Sequence, residues 1–225
     1  MAPQGITHPL QPNLWPIVSE LVIVGAGGFG RETAALAEQV EPSTNWSLRG
    51  FVDDDPDLHN THRLGYPVMG PINTLVNRST SRFVVAVAAP RVRQTLANRL
   101  SDSTVNPVSL VHPTLSLHRS VSVASGCILC EGATLTVNVT VGAHSIINLQ
   151  STLGHDVTLA PFCTIHPGVH LSGGTQLGRG VEMGTGSVTL PEVTVGEGTQ
   201  VGAGAVVTED LPSNCTAVGV PARPQ

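Results

Sequence analysis

The second half of this chain repeats every six residues, and that repeat limits the possible folds more than any other feature. Stepping by six from Val123 gives Val123, Leu129, Leu135, Val141, Ile147, Leu153, Leu159, Ile165, Leu171, Leu177, Met183, Thr189, Val195, Val201 and Val207. Only Thr189 in that series is not a large apolar residue. The frame runs back through Leu117, Val111 and Val105. Four residues after each large position stands a small or β-branched one, among them Cys127, Ala133, Val139, Ser145, Ser151, Val157 and Cys163. So long a period of fixed length predicts a solenoid. One six-residue unit makes a flat wall and three make a triangular coil, so residues 18 apart should stack. The large aliphatics then fill the prism, and each coil satisfies its backbone against its neighbours at about 4.8 Å. Composition agrees: aromatics are 3 % of the chain against 40 % apolar residues. A core so poor in rings must be packed with Val, Leu, Ile, Ala and Thr, which suits stacked β-structure.

The first half alternates strands and helices. Residues 20–24 (ELVIV) form an apolar run, followed by Gly25-Ala-Gly-Gly-Phe-Gly30 and a helical stretch over 31–40. Residues 48–52 read as a second strand ending in Asp53, Asp54 and Asp55; 82–88 read as a further strand and 91–100 as a further helix. Such alternation implies parallel βαβ units, here a small Rossmann-like domain. The G-x-G-x-x-G turn between strand and helix would let a phosphate reach backbone N–H groups at the helix N-terminus. Gly25, Gly27, Gly28 and Gly30 are therefore candidate binding residues. Arg31 could pair with a phosphate. Asp53, 23 residues beyond Gly30, would also fit a dinucleotide fold.

Net charge is −5 with no long basic run, which argues against nucleic acid or an anionic membrane as the main partner. No apolar run reaches the roughly 18 residues of a membrane span. The Pro-rich stretch before residue 18 lacks the pattern of a secretory signal, and four cysteines give no disulfide framework at this length. A cytoplasmic protein is the expectation. His155 is the candidate for acid–base chemistry: it stands two positions after inward Leu153, where a side chain can leave the prism. Imidazole can accept a proton near neutral pH. Gly173, 18 residues on, should stack one coil above it. His166 and His170 are four apart but not on a helix, and no metal site is expected.

These pieces together resemble the hexapeptide-repeat sugar acyltransferases that carry an N-terminal nucleotide-sugar-binding domain, the sialic acid O-acetyltransferase and UDP-4-amino-sugar N-acetyltransferase group. The resemblance rests on Val24-Gly-Ala-Gly-Gly-Phe-Gly-Arg31, Gly50-Phe-Val-Asp-Asp54, Val111-His-Pro113, Asn148 before Gly154-His-Asp156, Leu171-Ser-Gly-Gly174, and the ending Val206-Val-Thr-Glu-Asp210 with Val218-Gly-Val-Pro-Ala222. It implies a left-handed parallel β-helix binding acetyl-CoA as co-substrate, no metal, and a homotrimer with active sites between neighbouring chains. It implies His155 as general base, oriented by Asp156. It implies backbone contacts from Gly173 and Ala203 to the cofactor. Thr164 stands where the family often has a second histidine near the thioester, with His166 two residues later. The glycine turn, Arg31, Asp53 and Asp54 would hold the nucleotide, and Asn148 the sugar. Phe29 replaces a more usual histidine and Arg31 a more usual lysine.

The expected organisation is an N-terminal extension over 1–18, a nucleotide-sugar-binding domain over 19–103, a β-helix over 104–219 and a tail over 220–225. The expected activity is acetyl-CoA-dependent N-acetylation of a nucleotide-linked amino sugar. Two alternatives stand beside it: O-acetylation of a sugar hydroxyl, because His155 could activate either acceptor, and a non-catalytic nucleotide-sugar-binding protein.

Overall fold

The computed structural model describes residues 19–76, 78 and 81–225, so the extension expected over 1–18 lies outside the described residues. The N-terminal part is a parallel four-stranded sheet. Its strands are β1 (Ser19–Val24), β2 (Trp46–Val52), β3 (Ser81–Val85) and β4 (Asn106–Pro107), in the order β2-β1-β3-β4. Helix α1 (Gly28–Val40) connects β1 to β2, and α2 (Pro90–Leu100) connects β3 to β4. β1 is flanked on both sides, and its last four residues, Leu21–Val24, are apolar and buried, as a strand covered on two faces must be. The order reverses between β1 and β3, so the glycine turn leaves the sheet at a topological switch point, where α/β sheets take ligands. β4 lies beyond residue 103, where the sequence divides the chain, and still pairs with β3 through Arg82–Asn106 and Phe83–Pro107.

The rest is a left-handed parallel β-helix with three walls. Two walls have five strands each and the third has eight, counting one antiparallel strand at its end. Pairing follows the predicted spacing: Thr134, Thr152, His170, Val188 and Val206 stack in one wall, each 18 residues from the last. The inward series from Leu129 to Val207 is buried, with Cys127, Val139, Val157, Cys163, Val169 and Val181 between. Thr189, the polar exception, is buried but satisfied: its Oγ1 bonds Thr175 Oγ1 at 2.8 Å and accepts from Ser172 N at 3.0 Å. Two departures from strict periodicity appear. Val105 packs in the core of the N-terminal domain rather than in the prism. After Val207 the last coil shortens by two, so Gln200 pairs Thr216 and Val201 pairs Ala217.

The eight-stranded wall carries the N-terminal domain, and we term it the docking wall. Its outward positions Leu110, Ile128 and Ile146 are buried in one apolar cluster with Leu21, Ile23, Ala34, Ala37 and Phe51. Each such side chain contributes about 1.5–3 kcal/mol relative to exposure. Arg93 of α2 rivets the joint. It is fully buried and donates to the carbonyls of His144 (2.7 Å), Val87 (2.7 Å), Ala88 (2.7 Å), Phe162 (2.7 Å) and Cys163 (3.1 Å) and to Thr164 Oγ1 (2.9 Å).

Candidate active site

The chain passes from the docking wall to a second wall and then a third in each coil, so the corner between the second and third walls lies opposite the docking wall. His155 sits in that corner, between strands Thr152–Leu153 and Thr158–Leu159. This free edge carries Asn138, His155, Asp156, Gly173, Gly174 and Glu192 in successive coils.

Adjacent residues in a strand face opposite ways, so the pairing of His155 with Asp156 needs corner geometry. The corner supplies it. Asp156 adopts φ +62°, in the left-handed region, which turns its carboxylate back beside the ring. His155 Nδ1 lies 2.8 Å from Asp156 Oδ2. The amide of Asn138, followed by the His155 hydrogen bond, holds the Asp156 carboxyl below its usual range, so it is ionised and can only accept. The proton between them therefore belongs to Nδ1, so that in the neutral ring the lone pair is on Nε2. Nε2 points at Gly173: a Cβ built there would lie 2.4 Å from it. The ring fits only because residue 173 has no side chain. Thr189 Oγ1 and Thr175 Oγ1 pin the turn that carries Gly173, through Ser172 N (3.0 Å) and Ser172 O (2.7 Å). The N–H of Gly173 is paired with no acceptor among the described residues, whereas Gly174 N donates to His155 O at 2.8 Å. The edge thus juxtaposes a proton acceptor with a backbone donor, the two functions that acyl transfer requires.

The N-terminal turn is built as its sequence requires. A Cβ at Gly30 would lie 2.1 Å from Gly25 O, so only glycine lets α1 start so close to β1. Gly27 and Gly28 are exposed with open space above them, and the N-terminus of α1 has no side-chain cap. Arg31 is exposed beside it. Asp53 ties the turn down: Oδ2 accepts from Ala26 N at 2.8 Å and Oδ1 from Asp55 N at 3.0 Å.

Two expected site residues are placed elsewhere. Asp54 faces away from the turn; Arg99 of α2 and Ile72 N (3.1 Å) hold its carboxylate, and the Arg99 hydrogen bond lowers its pKa. Thr164, expected near the cofactor, is buried in the joint, where its hydroxyl donates to Ala88 O at 2.6 Å and accepts from Arg93. Docking of the N-terminal domain covers it, so it is not free to meet a ligand. Asn148 is buried, and its Oδ1 accepts from Leu149 N at 2.7 Å. Asn148 and Ala203 both lie on the corner between the docking wall and the second wall. Within one chain, then, the His155 edge and the Asn148–Ala203 edge are separated by the width of a wall, and the glycine turn belongs to the domain on the opposite wall. His155 and Asp156 are 68 % and 57 % exposed, so a single chain does not enclose them.

Sequence reasoning missed Asn138, whose only signal is its position 18 residues before Asp156, and the pair of His166 Nε2 with Glu182 Oε1 at 2.8 Å. That pair lines a groove of about 340 Å³ with Gly184, Thr185, Gln200 and Thr216. Cys127 and Cys163 are not poised as nucleophiles. Burial raises the thiols of Cys127 to about 11 and Cys163 to about 12, leaving them protonated. Among the described residues no group of three or more His, Cys, Asp or Glu side chains could hold a metal, and no helix is long and apolar enough to cross a membrane.

Residues 20–100 match the family model of the PglD N-terminal domain. Among solved structures, a histidine-to-asparagine variant of perosamine N-acetyltransferase from Caulobacter crescentus, in complex with CoA and GDP-perosamine, superposes with TM-score 0.83 at 30 % identity, covering 92 % of this chain and 97 % of that one. The acetyltransferase domain of PglB from Neisseria gonorrhoeae, in complex with acetyl coenzyme A, does so with TM-score 0.83 at 30 % identity, covering 92 % and 98 %. Serine acetyltransferase of Bacillus subtilis is 51 % identical over 39 residues, 17 % of this chain and 18 % of that protein. The match to the curated relatives thus spans less than a fifth of their length.

Proposed function

Because this chain belongs to the hexapeptide-repeat sugar acyltransferases with an N-terminal nucleotide-sugar-binding domain, we propose that it transfers the acetyl group of acetyl-CoA to the amino group of a nucleotide-linked amino sugar. The observation that carries this reading is the free edge, where Nε2 of His155 stands against the side-chain-free backbone of Gly173. Acetyl-CoA supplies the thioester carbonyl that the amine attacks, with CoA leaving as the thiol. His155 Nε2 takes the proton that the amine sheds as its nitrogen bonds to carbon, and returns it to the departing sulfur. Asp156 stabilises the imidazolium between those events. The Gly173 N–H offers a hydrogen bond to the oxygen as negative charge develops on it. No covalent link to the enzyme is needed.

The glycine turn, with Gly27, Gly28 and Arg31 around the uncapped start of α1, holds the pyrophosphate of the sugar nucleotide. Asp53 is placed to fix that turn. The wide separation of turn, Asn148 and His155 within one chain supports a site completed between copies, most simply in a trimer. The arm of the cofactor would then meet Ala203 of one copy and Gly173 of another.

Thiol release from acetyl-CoA, followed across UDP-, dTDP- and GDP-linked 4-amino sugars and free sialic acid, tests the reaction. Release with an amino sugar is the expected outcome; release only with a hydroxyl acceptor would move the activity to O-acetylation. His155→Ala is expected to reduce turnover by about 10²–10⁴-fold. Transfer at the full rate in that variant would end the general-base reading.

A further inference from the structure

Below His155 the free edge holds a line of side chains that the proposed reaction does not use. Asn138 stands one coil beneath Asp156 in the same corner position, at φ +57° against +62°. Its Nδ2 donates to Asp156 Oδ1 at 3.0 Å, while Asp156 Oδ2 faces His155 Nδ1 at 2.8 Å. Asn138 is itself held from below. Its backbone N–H donates to Ser120 Oγ at 2.9 Å. Ser120 Oγ in turn lies 2.8 Å from His118 Nδ1, which accepts from Ser120 N at 3.2 Å. The serine hydroxyl therefore donates to His118 and accepts from Asn138. Every group in this line has a defined direction, ending at the base.

We infer that Asn138 is a positioning residue which, by fixing one carboxylate oxygen of Asp156, aims the other at His155 and sets the ring in its Nδ1–H tautomer. This rests on reading His155 as the base. A carboxylate on a rotatable bond at an exposed corner can turn its oxygens toward water. An amide donor on Oδ1 removes that freedom and keeps Oδ2 beside Nδ1. Free imidazole in water favours the Nε2–H form, which would point a proton at Gly173 and leave no lone pair for the acceptor. Holding Nδ1–H against Asp156 reverses the preference. The reacting atom is thus set from a coil away, by a side chain that bonds Asp156 rather than the imidazole.

Tautomers can be read directly by nitrogen NMR of histidine-labelled full-length protein, with the His155 signals assigned by their loss in His155→Gln. Wild type should show His155 protonated at Nδ1 at pH values where the ring is neutral. Asn138→Gly keeps the left-handed backbone without strain and removes only the donor. It should lower the ratio of Nδ1–H to Nε2–H by about fivefold or more. Asn138→Asp, which also tolerates that backbone and replaces the donor with an acceptor, should lower it at least as far. An unchanged tautomer ratio in both folded variants would overturn the inference. So would a wild-type ring already in the Nε2–H form. The readout is independent of turnover. Full activity of His155→Ala would remove the base reading and leave the tautomer result standing; loss of activity there with unchanged tautomers in the Asn138 variants would remove only this inference.

Discussion

Arg93 shows how much one side chain can hold. A guanidinium with no exposed surface normally faces a carboxylate; this one faces five carbonyls and a hydroxyl. Burial lowers its pKa to about 10, still far above neutrality, so it is charged. Its donors tie α2 to the loop before it and to two coils of the prism. Arg93→Leu would leave those carbonyls buried without donors, and each hydrogen bond to a charged group is worth about 1.5–3 kcal/mol. A loss of more than about 3 kcal/mol is expected, read as a lower midpoint in urea unfolding. Lysine would not rescue it, because an ammonium cannot span the same acceptors. At the same scale, the raised thiols of Cys127 and Cys163 should resist iodoacetamide in the native protein and react only on unfolding.

Corners and strands do different work in this fold. The strands are two residues long in most coils and carry the inward aliphatics, while a corner carries His155, Asp156 and Gly173. One corner also joins the domains. His144 has φ +57° and its ring stacks between Phe162, with centroids 5.2 Å apart, and Phe83, at 6.3 Å. Its Nδ1 is buried without a partner among the described residues. Burial, followed by the charge of Arg93, pushes its pKa below the usual value. The folded state therefore stays neutral where the unfolded chain, with a histidine pKa of about 6.5, begins to take up a proton. Unfolded molecules then bind more protons than folded ones, so stability falls as pH drops through about 6.5. The melting temperature should decline between about pH 7.5 and about pH 5.5, and His144→Asn, which keeps the left-handed corner, should flatten that part of the slope.

The molecule as a whole is a prism with its N-terminal domain on one wall and the His155–Asp156 pair on the opposite edge. Val137 and Leu190 stand exposed on that edge, a coil below His155 and a coil above Gly173, at 41 % and 44 % exposure. Leu149 is exposed at 43 % on the corner that also carries Asn148 and Ala203. Apolar groups flanking an open site suit burial against another copy. Val137→Asp with Leu190→Asp is expected to convert the proposed trimer to monomers by analytical ultracentrifugation and to abolish the proposed acetyl transfer together with it. Activity surviving in monomers would show that one chain suffices.

The prism was written in the sequence because a six-residue period has one economical solution: inward aliphatics, turning corners and 18-residue stacking. The glycine turn was legible for a similar reason, since Gly30 is dictated by contact with Gly25 O between residues close in sequence. His155, Asp156 and Gly173 could be aligned by counting coils. Three matters needed the tertiary structure. Which wall carries the N-terminal domain depends on the outward series Leu110, Ile128 and Ile146, where the other walls place polar residues such as Thr134, Thr140, Thr152 and Thr158. That signal lies in the sequence but gains meaning only when a partner face exists. Thr164 continues the same column, and docking turned an expected ligand contact into a buried hydrogen bond to Ala88. Asp54 was drawn off by Arg99, 45 residues away. Periodicity fixes which side chains point in and which point out, because it acts through the local backbone. What an outward side chain meets is set by packing between segments far apart in the chain, and no local period encodes that.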